Sequence, residues 1–170
     1  YMSSSLEQEI LDLIDDVELK TVLVETKVAG GKHPSVTIDN KKAAYDATKY
    51  LLDKGNKKVA YIGLKKDRAN AVSHRYYGYE DAIKEAGLEV DQSLVYFAEL
   101  KAADGYNGIN VILENNEIDA VFCASDEVAM GAINALRDKG IRCPEDVDVM
   151  GFNDDYTAAI FYPKISTVAQ

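Results

Sequence analysis

The feature that most constrains this chain is a repeated alternation of helical and strand patterns. Helical patterns end at Gly55, Gly87 and Gly140, and glycine is a common residue just beyond a helix. An apolar strand pattern follows each of these glycines. Strands joined through single helices need crossover connections, so they are expected to lie parallel in one sheet. The alternation therefore predicts an α/β fold with doubly wound parallel sheets.

The same reasoning assigns the rest of the chain. A first helix is predicted over 6–17, with Ser4 and Glu7 as a capping box at its start. The other predicted helices span about 41–54, 73–86, 102–114 and 127–139, and the predicted strands span 21–24, 35–38, 58–62, 94–97, 120–123, 147–150 and 164–168.

Composition narrows the classes of function. The 170 residues carry 29 Asp and Glu against 19 Lys and Arg, a formal net charge of -10. Domains that bind nucleic-acid phosphates usually have the opposite balance, so this part of the protein is not expected to hold DNA by itself. The sequence contains no apolar run of the ~18 residues that a membrane span requires, and no secretory signal pattern opens it.

The remaining composition argues against cofactor chemistry. Cys123 lies in an apolar run and is expected to be a buried free thiol, and Cys143 forms no metal-binding spacing with it. The strand over 58–62 is followed by a single glycine, Gly63, where a dinucleotide fold would have G-x-G-x-x-G. We therefore expect no cofactor and no bound metal.

In doubly wound sheets, ligands bind beyond the carboxyl ends of the strands. Arg75, near a helix start, could offer its planar fork to ligand oxygens, or it could be a surface arginine. Ser125 and Asp126 follow a strand, with Asp126 either an N-cap or a ligand contact. Asn153, Asp154 and Asp155 follow another strand, and they suit a Mg²⁺ site, a site for sugar hydroxyls, or a turn.

Collinear motifs along nearly the whole chain resemble the LacI/GalR family of bacterial repressors. The terminal pattern, Pro163 with 165–170, favours the regulators of this group over periplasmic sugar-binding proteins. The segments 34–39 and 167–170 resemble the catabolite control proteins of Gram-positive bacteria. The matching segments are 34–40, 50–62, Arg75 with Gly78 and Tyr79, 125–131, 144–147, 151–154, and Pro163 with 165–170.

The resemblance implies a core of two Rossmann-like subdomains, similar to type I periplasmic binding proteins. Residues 1–55 would be part of the N-terminal subdomain, 56–162 the C-terminal subdomain, and 163–170 a crossover strand back to the first. The DNA-binding headpiece would lie outside this chain, which we expect to be a piece of a longer protein. Residues 1–55 would then lack family neighbours, so we expect some rearrangement or intermolecular packing there.

The resemblance also implies which residues bind an effector. Arg75 and the position of Asn153 commonly grip the effector in the family, and Ser125 matches a polar position. Asp126 and Asp154 flank these positions. The chain departs from the family twice, because Asn153 replaces an aspartate and Leu100 stands where many members have an aromatic residue. Phe97 is close enough in sequence to compensate for that aromatic.

The expected protein is a cytoplasmic homodimer without catalytic activity. Its partners would be a sugar or sugar phosphate effector, or a phosphocarrier protein, and operator DNA only through the headpiece. Two alternatives remain open: a periplasmic-type sugar-binding receptor and, less favoured, a Mg²⁺-dependent enzyme using Asp154 and Asp155. The dimer interface implied by the family comprises Met130, Ile133, Asn134 and Phe161, with the neighbouring segment 159–162.

Overall fold

The computed structural model describes residues 8–17, 20–25, 32–65 and 71–170. The proposed capping box at Ser4 and Glu7 lies outside them. Short 3₁₀ turns lie at Ala71–Ser73 and Gln92–Leu94. The elements are α1 (Gln8–Asp16), β1 (Leu23–Val24), β2 (Ser35–Val36), α2 (Asn40–Asp53), β3 (Val59–Gly63), α3 (His74–Glu85), β4 (Val95–Phe97), α4 (Ala102–Leu113), β5 (Ala120–Cys123), α5 (Asp126–Asp138), β6 (Asp148–Asn153), α6 (Tyr156–Ile160) and β7 (Ser166–Ala169).

A five-stranded parallel sheet forms the centre of the molecule. Its strand order is β4-β3-β5-β6-β7, and β1 and β2 form a separate two-stranded parallel sheet. The predicted parallel α/β fold is confirmed. In this order β3 lies between β4 and β5. The chain therefore continues from β3 to β4 on one side and then returns to β5 on the other side. This topology creates a crevice at the carboxyl ends of the strands.

Both faces of the large sheet are covered. All residues of β3 and β5 are buried, as expected for parallel strands with helices on each side. Successive residues of β3 point to opposite faces. Ala60 and Ile62 belong to the cluster that contains α4 and α5, whereas Val59 and Tyr61 belong to the cluster that contains α2 and α3.

Helix α2 packs with the C-terminal part of the molecule. Its residues Ala44, Ala47 and Leu51 are buried in the same cluster as Tyr61 and Phe122. A Cβ placed on Gly78 of α3 would lie 2.2 Å from the Lys41 carbonyl oxygen, so the two helices meet at backbone distance. The boundary predicted after residue 55 therefore cuts through one packed unit, which begins with α2.

The segment predicted to cross back after Pro163 also belongs to this sheet. Strand β7 pairs with β6 from Met150↔Ser166 to Asn153↔Ala169, so it forms an edge strand of the large sheet. Strand β6 continues through Asn153, three residues further than predicted. Tyr156–Ile160, where no helix was predicted, forms the short helix α6.

The N-terminal elements expose apolar side chains. Leu11 and Leu23 are buried, yet the exposed fraction reaches 67% for Val24 and 65% for Val36, which lie on β1 and β2. Leu13 on α1 is also exposed, at 61%. The two-stranded sheet thus exposes apolar side chains that no described residue covers.

Candidate functional site

The buried guanidinium of Arg75 connects the carboxyl ends of two central strands. Its Nε donates to Asn40 Oδ1 at 2.8 Å, and Nη1 donates to the Ala124 carbonyl oxygen at 2.6 Å. Nη1 also donates to Asn153 Oδ1 at 3.3 Å. Asn40 begins α2, Ala124 follows β5 and Asn153 ends β6. The structure therefore brings Arg75 and Asn153 together, as the resemblance implied.

Arg75 is only 3% exposed, which excludes the surface-arginine alternative. Its Cζ lies 3.6 Å from the centroid of the Phe152 ring, so the guanidinium stacks on an aromatic face. Burial lowers the pKa of Arg75 to about 10, because the charged form has lost water. The negative charges of Glu25 and Asp126 act in the opposite direction, and more weakly.

Gln170 and Glu25 extend the Arg75 network towards the N-terminal elements. The Gln170 amide contacts Asn153. With its nitrogen towards Glu25, it donates to Glu25 Oε1 at 2.9 Å, and its oxygen accepts from Arg75 Nη2 at 3.2 Å. Glu25 follows β1 with a φ of 58°, and its N–H donates to the Val36 carbonyl oxygen. A hydrogen-bonded relay thus links the small sheet to the centre of the candidate site.

Ser125 and Asp126 have structural partners. Ser125 Oγ accepts from the Val128 N–H at 3.2 Å and caps α5. The prediction that Asp126 is the N-cap is wrong by one residue, because α5 begins at Asp126 itself. The Asp126 carboxylate accepts from Thr167 Oγ1 at 2.5 Å and from the Asp155 N–H at 2.7 Å, so it ties α5 to the loop after β6 and to β7.

Asp126 is completely buried, and burial raises the pKa of its carboxyl. A Cβ on Gly151 would lie 2.2 Å from Asp126 Oδ1, so only glycine leaves room for this carboxylate. Both carboxylate oxygens are already engaged by protein donors. As a candidate ligand contact, Asp126 is therefore placed behind the cleft rather than open to it.

Asn153 and Asp154 form a turn at the end of β6. Their φ angles are 115° and 60°, a region that asparagine and aspartate adopt more readily than most residues. Asp154 is exposed, and its N–H donates to Thr167 Oγ1 at 3.3 Å. The turn interpretation from the sequence agrees with this geometry. Asn153, and not the exposed Asp154, accepts the hydrogen bond from Arg75.

Leu100 and Phe97 pack into the protein. Leu100 is partly buried and contacts both core clusters. The Phe97 ring meets the Tyr76 ring edge-on, with centroids 5.0 Å apart, and also lies 6.3 Å from the Tyr61 ring. Phe97 therefore belongs to an aromatic cluster of the core. Many family members have an aromatic residue at the position of Leu100, and it stays a prediction that Phe97 takes over the role of that residue.

The four residues of the expected dimer interface differ in exposure. Ile133 is 2% exposed and lies in the core, so its side chain is not available on the surface. Met130 and Phe161 are partly buried and pack against the same core, and Asn134 is partly exposed beside Arg137. The large exposed apolar side chains nearby in sequence are Tyr156, Ile160 and Tyr162.

Within the described ranges, no three His, Cys, Asp or Glu side chains are grouped as a metal site would require. Cys123 and Cys143 are free, and Cys123 is buried as predicted. Burial raises the pKa of the Cys123 thiol. None of the helices in the described part of the chain has the length and apolar character that crossing a membrane demands.

Sequence reasoning missed four residues of the network, namely Asn40, Phe152, Glu25 and Gln170. Asn40, Phe152 and Gln170 all lie inside the motif segments that carried the family resemblance. Phe152 directly precedes Asn153, but nothing in the sequence shows that its ring lies under a guanidinium. Glu25 had no local signal, because its contact depends on how the small sheet meets the large one.

A family model described as periplasmic binding protein-like domain matches residues 48–170. The chain is 56% identical over 171 residues to the HTH-type transcriptional regulator RegA of Clostridium saccharobutylicum, covering 100% of this chain and 52% of RegA. The chain thus spans about half the length of the curated relatives it matches.

Solved structures agree with this match. The transcription regulator CcpA of Lactococcus lactis superposes with a TM-score of 0.85 at 34% identity, covering 100% of this chain and 62% of CcpA. A transcriptional regulator CelR–cellobiose complex has a TM-score of 0.80 at 30% identity, covering 93% of this chain and 49% of CelR. The identity to RegA exceeds that to CcpA, so the resemblance is not specific to catabolite control proteins.

The family match covers the end of α2, the five strands of the large sheet, and Arg75 and Asn153 of the crevice. The relatives are regulators of transcription, and the structural neighbours include LacI-family proteins. The chain belongs to the periplasmic binding protein-like domain family, in the form that LacI-type transcriptional regulators carry.

Proposed function

We propose that this chain is the effector-binding core of a LacI-type DNA-binding transcription regulator. A small molecule would bind in the crevice at the carboxyl ends of the strands, with Arg75 and Asn153 as its main contacts. The observation that carries the proposal is the Arg75 guanidinium, buried between Asn40, Ala124 and Asn153. The CelR–cellobiose complex supports a small-molecule effector, because that relative binds cellobiose.

The protein would act through binding alone, without catalysis, in the cytoplasm where a regulator meets DNA. Effector binding would shift the population between two arrangements of the core, and a DNA-binding part of the full protein would respond to that shift. The Glu25–Gln170–Arg75 relay supports coupling, since it joins the small sheet to the effector contacts. Binding of a phosphocarrier protein stays a prediction from the family resemblance.

The decisive test uses the full-length protein that contains this chain. Operator binding is measured by fluorescence polarisation with and without a panel of sugars, sugar phosphates and other small metabolites. Replacing Arg75 with alanine is expected to remove the response to whichever compound acts, because it deletes every guanidinium contact. Lys84→Ala, an exposed position on the same helix α3, is the matched control and keeps the response.

Since Arg75→Ala also removes three hydrogen bonds within the protein, its folding is checked by circular dichroism and thermal melting. Arg75→Lys serves as a second variant, because it keeps the charge and loses the planar fork. An effector response that persists in both variants at wild-type concentrations would contradict the proposed cleft.

We also propose that the protein forms a homodimer through the exposed apolar surface around α6. Tyr156, Ile160 and Tyr162 are 80%, 63% and 86% exposed and lie within seven residues of the chain. Large apolar side chains exposed close together are a feature of interaction sites. Phe161, between two of them, is partly buried against the core. Phe161 would pack between this surface and the core, while Ile133 would contribute only to the core.

A further inference from the structure

Among the described residues, no carboxylate pairs directly with the charge of Arg75. The acceptors of its hydrogen bonds are the Asn40 amide, the Ala124 carbonyl and the Asn153 amide, all of them uncharged. Its Nη2 faces the Gln170 amide, which is also uncharged. A guanidinium that is 97% removed from solvent normally needs an opposite charge, because transfer of an ion out of water is costly.

The carboxylates near Arg75 are engaged elsewhere. Asp126 accepts hydrogen bonds from Thr167 and from the Asp155 backbone. Glu25 reaches Arg75 only through the Gln170 amide, so two hydrogen bonds separate the charges. The position next to Arg75 where a carboxylate would pair with it directly holds Asn153 instead. The candidate site is therefore a buried cation whose described hydrogen-bond acceptors are all uncharged.

The open side of this cation is the side of Gln170. Arg75 Nε and Nη1 are occupied by Asn40, by the Ala124 carbonyl and by Asn153, whereas Nη2 meets the Gln170 side-chain amide. A ligand that enters the crevice and displaces the Gln170 amide would reach Nη2 without disturbing the other contacts. A charged oxygen placed there gains a charge-assisted hydrogen bond in a poorly hydrated site.

We infer that the effector carries an anionic group, a carboxylate or a phosphate, which binds Arg75 in place of the Gln170 amide. The inference rests on the proposed function and deepens it by naming the chemical class of the effector. An uncharged sugar would leave the guanidinium charge unpaired, as it is in the free protein. Displacement of Gln170 by the anion would also break its hydrogen bond to Glu25, so binding would change the contacts of β1 and β2.

The experiment titrates inorganic phosphate and malonate separately into the full-length protein at constant ionic strength, with isothermal calorimetry as the readout. Both anions are expected to bind saturably, and binding of one alone identifies the effector group as phosphate or carboxylate. Asn153→Asp supplies the missing carboxylate beside Arg75, so it is expected to weaken binding about tenfold or more. Asn107→Asp, the matched control, makes the same charge change at an exposed position of α4 and is expected to keep wild-type binding.

Saturable binding of neither anion, or equal binding to the wild type and to Asn153→Asp, would overturn the inference. A parallel operator-binding assay separates this result from failure of the proposed function. If cellobiose or another uncharged sugar changes operator binding while neither anion binds, the regulator proposal stands and the anionic effector is refuted. If the anions bind as expected and no compound in the metabolite panel changes operator binding, the anion site stands and the regulator proposal fails.

Discussion

At the scale of single residues, burial decides roles that residue type leaves open. The Tyr61 hydroxyl is buried in the centre of β3 and has no hydrogen-bond partner among the residues that the structure describes. Desolvation raises the pKa of this phenol. A buried polar atom without a partner costs free energy that a matched apolar side chain does not.

Replacing Tyr61 with phenylalanine is therefore expected to raise the free energy of unfolding by about 1 kcal/mol. The ring contacts with Tyr76, Tyr79 and Phe122 would be kept. Urea denaturation followed by circular dichroism provides the measurement.

Tyr79→Phe is the matched control for this prediction. Its hydroxyl donates to the Val59 carbonyl oxygen at 2.8 Å in the same aromatic cluster. Loss of that bond is expected to lower the free energy of unfolding by about 1 kcal/mol. Equal destabilisation by both substitutions would mean that the Tyr61 hydroxyl has a partner.

At the scale of elements, helices α4 and α5 pack with their backbones in contact. A Cβ on Gly131 of α5 would lie 1.8 Å from the Ala102 carbonyl oxygen, and a Cβ on Gly105 of α4 would lie 2.0 Å from the Val128 carbonyl oxygen. Each helix thus presents a glycine to the backbone of the other. These two glycines therefore determine the distance between α4 and α5 on their face of the sheet.

Gly131→Ala is expected to lower the free energy of unfolding by about 2 kcal/mol, because the helices must move apart. The sign is diagnostic, since glycine to alanine in an unconstrained helix interior raises stability by about 1 kcal/mol. Thermal and urea unfolding measure the change, with Asn107→Ala on exposed α4 as the control. A stabilised Gly131→Ala protein would show that the helices are further apart than described.

At the scale of the whole molecule, the surface rather than the core governs assembly. Two groups of exposed apolar residues stand out, one around α1, β1 and β2 and one around α6. The first lies where residues 1–55 were expected to lack neighbours. The second, comprising Tyr156, Ile160 and Tyr162, is the proposed dimer surface.

Ile160→Asp is expected to shift the full-length protein from dimer towards monomer at micromolar concentration, because a charge would be buried in the interface. Ile160 is 63% exposed, so the fold itself should tolerate the change. Val111→Asp, on α4 at 49% exposure, is the control and should leave the dimer intact. Sedimentation velocity gives the answer, and an unchanged dimer in Ile160→Asp would exclude this surface.

The sequence by itself determined the alternation of elements, the parallel sheet and the position of the crevice, because these follow from local periodicity, glycine-terminated helices and crossover geometry. It also placed Arg75, Ser125 and Asn153 at or near strand ends. Tertiary structure decided what those side chains do. Ser125 became the cap of α5, Asp126 turned towards β7, and α2 joined the unit that the sequence analysis had divided after residue 55.

The physical reason is that contacts such as Arg75 with Asn40 and Asn153 join positions 35 and 78 residues apart. No local pattern encodes such a contact, and no composition reveals that a buried cation lacks a carboxylate partner. Only the packing of α2, α3 and β6 around the ends of the strands brought the uncharged amides to Arg75. Local propensity therefore specified the scaffold, while long-range packing produced the electrostatic character of the site.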